Sequence, residues 1–182
     1  MFKTPAIVAV TAVAAIVAFS AASPATTSPR PVSGCVNQTL SDGIWGLKVT
    51  NVVFGTDPSV AVAAYGVTFT LSNLSKQTQV PDSLGIGLPQ VVLKDGTILE
   101  IATDSQIAYQ DAITYTNFKP GMHVSGTYWF RASDQTNRAA SFVLPVSATN
   151  TVYHTSLGYK LTNPAFSVDL TCNESSSPSP SS

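Results

Sequence analysis

The chain has 182 residues and a formal net charge of −1, and only 10% of its side chains are charged. An ordinary soluble domain carries about a quarter. Lysine and arginine nowhere form a run in this sequence, so the clustered cations that bind phosphate groups are missing, and we expect no nucleic acid partner. A polybasic segment that would bind an anionic membrane surface is missing as well, which leaves a membrane partner only if a lipid is attached.

The first segment of the chain has the pattern of a secretory signal peptide. Lys3 supplies a positive charge, an apolar run extends to Phe19, and the small residues that follow suit a signal peptidase. The run is shorter than the stretch of about 20 apolar residues that spans a membrane. We predict a signal peptide over residues 1–22, a linker rich in Pro, Ser and Thr over 23–34, and a protein that is secreted or associated with the outside of the cell envelope.

Two cysteines occur, and they lie at opposite ends of the foldable region. An even count in an exported protein favours a disulfide between Cys35 and Cys172. Two alternatives stay open: two free thiols, or a lipid on Cys35, since a lipoprotein motif would also place small residues before the cysteine. We predict one domain over residues 35–172 and a disordered tail rich in Ser and Pro over 173–182.

Alternation of apolar and polar residues predicts strands throughout this domain, and no segment of helical period exceeds a turn or two. In the segment 44–54 the apolar positions are first odd and then even, which predicts a bulge near Asn51. The segment 61–71 alternates most clearly, with its odd positions apolar from Ala61 to Leu71. We expect its odd positions to face the core and Thr68 to face solvent.

Turn residues divide the rest of the domain. Lys94-Asp95-Gly96 separates two apolar segments and predicts a hairpin, while Lys119-Pro120-Gly121 predicts a turn before a strand over 124–130. Further strands are predicted from Phe142 to Val146 and from Phe166 to Cys172, with Cys172 facing inward. About seven to nine short strands separated by turns favour an all-β fold, a two-sheet antiparallel β-sandwich.

The pattern of strand and turn residues also resembles a known family. The segments concerned are Trp45-Gly46-Leu47-Lys48-Val49, Val67-Thr68-Phe69-Thr70-Leu71 with Ser72-Asn73, Val92-Leu93-Lys94-Asp95-Gly96, and Pro120-Gly121 through Gly126-Thr127-Tyr128-Trp129-Phe130. Together they resemble the secreted immunoprotective, immunoglobulin-like family of mycobacterial antigens and its telokin-like relatives. The resemblance implies a bacterial immunoglobulin-like sandwich without an assigned activity, and it supplies no catalytic or binding residues.

The sequence offers little catalytic chemistry. His123 and His154 are its two histidines, no Gly-x-Ser-x-Gly motif occurs, and two histidines beside paired cysteines do not complete a zinc site. Pairs of carboxylates such as Asp104 with Asp111 are not in a calcium-loop pattern. We therefore expect no enzyme, no metal and no cofactor.

Four aromatic residues fall outside the predicted inward positions and are candidate binding residues, the alternative being edge packing under loops. They are Tyr109, Tyr115, Trp129 and Tyr153. The sequence thus favours a secreted, non-enzymatic domain that binds an unknown protein or extracellular ligand, and it indicates no oligomeric state. The alternative function is that of an envelope lipoprotein, anchored through Cys35, with a structural or chaperone-like role.

Overall fold

A computed structural model describes residues 31–133, 135–145 and 165–172, and within these ranges the chain forms nine strands and one α-helix. The predicted signal peptide, the tail, Val146, Tyr153 and His154 lie outside the described residues. The elements are β1 (Val32–Cys35), β2 (Leu40–Ser41), β3 (Trp45–Thr56), β4 (Ala63–Asn73), β5 (Gln90–Leu93), β6 (Ile98–Glu100), α1 (Thr103–Tyr109), β7 (His123–Arg131), β8 (Ala139–Pro145) and β9 (Ala165–Asp169).

The strands form two sheets. One has the order β1-β9-β8-β5-β6 and the other the order β2-β3-β4-β7. All neighbouring strands are antiparallel except β1 and β9, which run parallel. The predicted all-β sandwich is confirmed, with this one parallel pair as a departure from a purely antiparallel fold. Since β1 begins at Val32, which packs against the core, the segment 32–34 belongs to a strand rather than to the predicted linker.

The predicted bulge in β3 is confirmed. The register between β3 and β4 shifts between Val49 and Asn51, so Thr50 is the additional residue. Before the shift Trp45 and Val49 are fully buried, and after it Val52 packs partly against the core. The bulge therefore lets one long strand keep an apolar face inward although its apolar parity changes.

Strand β4 begins at Ala63, so the predicted start at Ala61 is wrong. Ala61 has a φ of 53° and lies in the turn between β3 and β4. Asp57 organises this turn: its backbone N–H donates to Val62 O at 2.8 Å, and its carboxylate Oδ1 accepts from Ser59 N at 2.9 Å. These local bonds replace the strand pairing that alternation alone predicts. The facing of β4 is as expected, with Phe69 fully buried and Thr68 half-buried.

Both predicted turns are present. Gly96 has a φ of 89° in the hairpin between β5 and β6, and Gly121 has a φ of 75° before β7. Met122 N–H donates to Lys119 O at 2.9 Å, which closes the second turn around its proline and glycine.

The segment between β6 and β7 is the main element that the sequence did not predict. Helix α1 continues into a π-helical turn over Gln110–Thr114, and the two bury Tyr109 and Ile113. The helix has no side chain that hydrogen-bonds its N-terminus and carries Ala102 before its first residue, so the usual N-terminal signal is missing. Burial of two large side chains therefore stabilises it.

The predicted disulfide is confirmed. Cys35, at the end of β1, is bonded to Cys172, just beyond β9, with their Cα atoms 5.6 Å apart. Since the Cys35 sulfur is used in this bond, it does not carry the thioether of a lipoprotein, and the alternative of a lipid anchor is wrong. Cys172 is half-buried rather than fully inward, because β9 ends at Asp169. Within the described ranges, no helix combines the length and the apolar character needed to cross a membrane.

Candidate functional site: a tryptophan on an outer sheet face

The structure separates the predicted aromatic residues. Tyr109 is fully buried in the core, where its ring contacts Phe69 and Tyr128 and its hydroxyl donates to Gly87 O at 3.1 Å. Burial, and then the neighbouring Tyr128, raise the pKa of the Tyr109 phenol. Its proposed role in binding is therefore wrong, because a helix that the sequence did not predict carries it inward.

Two of the candidates remain accessible, at different places. Tyr115 is 59% exposed and follows the π-helical turn. Trp129 is half-buried and lies on the outer face of β7, in the four-stranded sheet. Trp129 therefore stands apart from the other described candidates, as a single aromatic side chain on a regular sheet surface.

Strand register places Trp129 in a row across this sheet. Val53 of β3 pairs with Gly66 of β4, and Gly66 pairs with Trp129 of β7. The next rows along the sheet are Asn51, Thr68 and Thr127, and then Lys48, Thr70 and Ser125. We call this surface the Trp129 face and define it by the outward residues Lys48, Asn51, Val53, Gly66, Thr68, Thr70, Ser125, Thr127, Trp129 and Arg131.

The indole ring of Trp129 packs against Gly66. A Cβ atom at Gly66 would lie 3.0 Å from Trp129 Cη2, 3.0 Å from Cζ3 and 3.2 Å from Cε3. Nearly equal distances to three successive ring carbons mean that one face of the six-membered ring lies against the Gly66 backbone. The opposite face of the ring is turned away from the sheet. The absence of a side chain at residue 66 thus permits Trp129 to lie flat over the sheet.

The backbone of Trp129 is held on its other side by the helical segment. Trp129 N–H donates to Ser105 Oγ at 3.0 Å, and Ala102 N–H donates to Trp129 O at 2.7 Å. These bonds satisfy both backbone groups of Trp129 at the outer edge of β7. The backbone that carries the ring is therefore held in place, and ordering the side chain upon ligand binding costs little conformational entropy.

Hydroxyl groups continue the face beside the ring. Thr68 Oγ1 and Thr127 Oγ1 are 2.8 Å apart, and Thr70 Oγ1 and Ser125 Oγ are 2.6 Å apart. A hydroxyl has one proton and two lone pairs, so each pair keeps capacity for further hydrogen bonds. The surface next to Trp129 can therefore both donate to and accept from a polar ligand.

The charged residues that define this face are all cations. Lys48 and Arg131 belong to it, and the outward positions that define it on β3, β4 and β7 include no carboxylate. Glu100 lies next to the edge of this sheet, and it lines the same groove of about 450 Å³ as Arg131. Lys48 of β3 lies in the same row as Ser125 of β7, with Thr70 of β4 between them. Ser125 is about 20 Å from Arg131 along β7.

Other parts of the described structure offer less chemistry. His123 is exposed at the start of β7, and no group of three or more histidine, cysteine or acidic residues in the described ranges is placed to hold a metal ion. A shallow depression of about 540 Å³ beside the disulfide includes Asp169. That carboxylate already accepts two hydrogen bonds of 2.7 Å from Thr171, which hold its pKa below the usual range.

No protein-family model and no curated protein matches the chain. Among solved structures it is similar to MPT63, a secreted protein of Mycobacterium tuberculosis, with a TM-score of 0.50 and 17% identity over 66% of this chain and 94% of that one. The chain is an immunoglobulin-like β-sandwich. At this identity the likeness concerns the fold alone, and it agrees with the fold that the family resemblance implies.

Two further structures share a weaker likeness. The YjhA protein of Bacillus subtilis has a TM-score of 0.48 and 11% identity, over 75% of this chain and 98% of that one. An uncharacterized β-sandwich protein of Clostridium difficile has a TM-score of 0.44 and 10% identity, over 81% and 99% of the two chains.

Proposed function

We propose that this protein is an extracellular, non-enzymatic domain that binds its ligand through the Trp129 face. The observation that carries the proposal is the indole ring of Trp129, which lies flat on Gly66 with its other face turned away from the sheet. Tryptophan is among the residue types enriched at the positions that dominate the free energy of binding, and its ring buries a large area.

Three observations support an extracellular location. The disulfide between Cys35 and Cys172 is of a kind that persists in oxidising compartments, and MPT63 is described as secreted. The signal-peptide pattern of residues 1–22 points in the same direction.

A binding role also fits the chemistry of the described residues better than catalysis does. His123 is exposed on a regular strand, and no group of three or more histidine, cysteine or acidic residues in the described ranges is placed to hold a metal ion. Histidine is the side chain whose unperturbed pKa lies nearest neutral pH. A folded variant with both His123→Gln and His154→Gln should therefore keep the binding activity, and wild-type turnover of ester, peptide or glycoside substrates that this variant loses would contradict the proposal.

The binding role is tested by comparing variants on an array of extracellular glycans and proteins. Trp129→Ala should lose the signal of the wild type. Tyr115→Ala, which removes another exposed aromatic ring away from this sheet, should keep it. Near-ultraviolet circular dichroism first establishes that both variants are folded. A wild-type ligand that Trp129→Ala binds equally well would contradict the assignment of the site.

A further inference from the structure

We propose that the ligand of the Trp129 face is an acidic polysaccharide, a chain of sugar rings that carry carboxylates. This inference rests on the proposed function, because it names the class of ligand for the same surface. It depends on three features of that surface: the plane of the indole, the hydroxyl groups beside it and the sign of its charges.

The indole plane matches one side of a sugar ring. A pyranose has C–H bonds on its faces and hydroxyl groups around its perimeter. The negative face of an aromatic ring attracts such C–H bonds, and their contact also buries apolar area. Trp129 offers this face with its base already held by Ser105 and Ala102. The backbone of an extended peptide has no ring that could stack on the indole, so a peptide could do so only through its side chains.

The groups around the indole match the perimeter of the sugar. Thr127 lies on β7 next to the Trp129 row, with Thr68 and Asn51 beside it. Sugar hydroxyls donate and accept, and the side chains of threonine and asparagine do the same. Val53, which is 41% exposed, extends the apolar part of the same row.

The charges favour an acidic sugar over a neutral one. The chain has 10 acidic residues, yet the outward positions that define the Trp129 face hold two cations and no carboxylate. Lys48 and Arg131 lie on either side of Trp129 along the strands, with Glu100 beside Arg131 at the border. A chain of uronic acids that crosses the indole would therefore meet a cation in both directions.

The experiment uses the secreted full chain and three probes, and calorimetry or nuclear magnetic resonance measures the dissociation constant of each. Hexagalacturonate is the acidic sugar, its methyl ester has the same rings without charge, and hexaglutamate carries the charge without rings. We expect hexagalacturonate to bind, the ester to bind more weakly, and hexaglutamate not to bind. Raising the salt concentration should weaken the binding of hexagalacturonate.

Variants locate this binding. Trp129→Ala should weaken hexagalacturonate binding about tenfold or more, and Lys48→Gln or Arg131→Gln roughly two- to fivefold each. Lys94→Gln is the matched control, because Lys94 lies in the turn between β5 and β6 of the other sheet. Gly66→Ala keeps the tryptophan but displaces its ring, so it should also weaken binding, even if Trp129→Ala does not fold.

The other possible results of these experiments would overturn different parts of the proposal. Equal affinity for the acid and its ester would overturn the acidic part of the proposal, and binding of hexaglutamate alone would overturn the glycan class. If the array yields a ligand that depends on Trp129 while hexagalacturonate does not bind, this inference fails and the proposed function stands. If no ligand depends on Trp129, both fail.

Discussion

Trp129 occupies the volume that a side chain at Gly66 would fill. The two residues face each other across β4 and β7, and a Cβ at Gly66 would come within 3.0 Å of the indole. The glycine therefore acts on the outer face of the sheet, where it sets the orientation of the one aromatic ring among the residues that define the Trp129 face.

The first prediction concerns this pair. Gly66→Ala should displace the indole, shift the fluorescence emission of Trp129 and lower the free energy of unfolding by about 1 kcal/mol. The other tryptophan, Trp45, is fully buried and also contributes to the emission. The Trp129→Phe variant gives the emission of Trp45 alone, which can then be subtracted. Gly55→Ala is the control, because a Cβ at Gly55 on β3 has no atom within 4 Å. An unchanged Trp129 signal in Gly66→Ala would show that the indole does not rest on Gly66.

The second prediction concerns the core. Phe69 is fully buried and its ring lies 5.0 Å from that of Phe142 in the opposite sheet. Phe69→Ala should lower the free energy of unfolding by about 3–5 kcal/mol in a urea titration. Thr68→Ala, next to it on the outer face, should lose about 1 kcal/mol or less, since it removes only a partly exposed hydrogen bond to Thr127. Equal losses would mean that the facing of β4 is wrong.

The third prediction concerns pH. Asp42 is buried, and burial raises the pKa of its carboxyl although Trp45 N–H and Ile44 N–H donate to Oδ1 at 2.7 and 2.8 Å. A raised pKa means that the folded state binds the proton more tightly than the unfolded state. The resulting stability is present below the unfolded pKa of about 3.9 and is lost as pH rises through the folded value.

Asp42→Asn keeps the acceptor and removes this titration. Its free energy of unfolding relative to the wild type should therefore increase as pH rises from 3 to 7 in urea titrations. Asp95→Asn is the control with the opposite sign, because hydrogen bonds from Thr97 and Asn137 lower the pKa of the exposed Asp95 carboxyl. A wild-type minus Asp42→Asn difference that is constant with pH would contradict the assignment.

The fourth prediction concerns the disulfide. Cys35 and Cys172 close almost the whole domain, with a sequence separation of 137, and such a loop gives up to about 5 kcal/mol of stability. Their replacement by serine should lower the free energy of unfolding and release β1, the edge strand that pairs only with β9, first. Hydrogen exchange should then show lost protection in Val32–Cys35 while the amides of β7 stay protected. Intact mass of the purified wild type should show the loss of two hydrogens and no added lipid.

Alternation of apolar and polar residues, together with the turn residues, was enough to predict the class of the fold and the facing of most strands. Trp45 and Val49, and then Val52 after the bulge, lie inward as their alternation predicts, because burial of one face is a property of a single strand. The turns at Gly96 and Gly121 were equally predictable, since positive φ favours glycine. The disulfide followed from the count of cysteines and the predicted export.

Which of the candidate aromatic residues are accessible, and what lies beneath Trp129, depended on how the elements pack together. Tyr109 is buried because a short helix packs against the core, and local propensity does not reveal such a helix. The packing of Trp129 against Gly66 depends on the register between β4 and β7, which places these two residues opposite each other although they are distant in sequence. Register between strands results from packing of the whole sheet, and alternation within one strand therefore indicates which side a residue faces but not which residues become its neighbours.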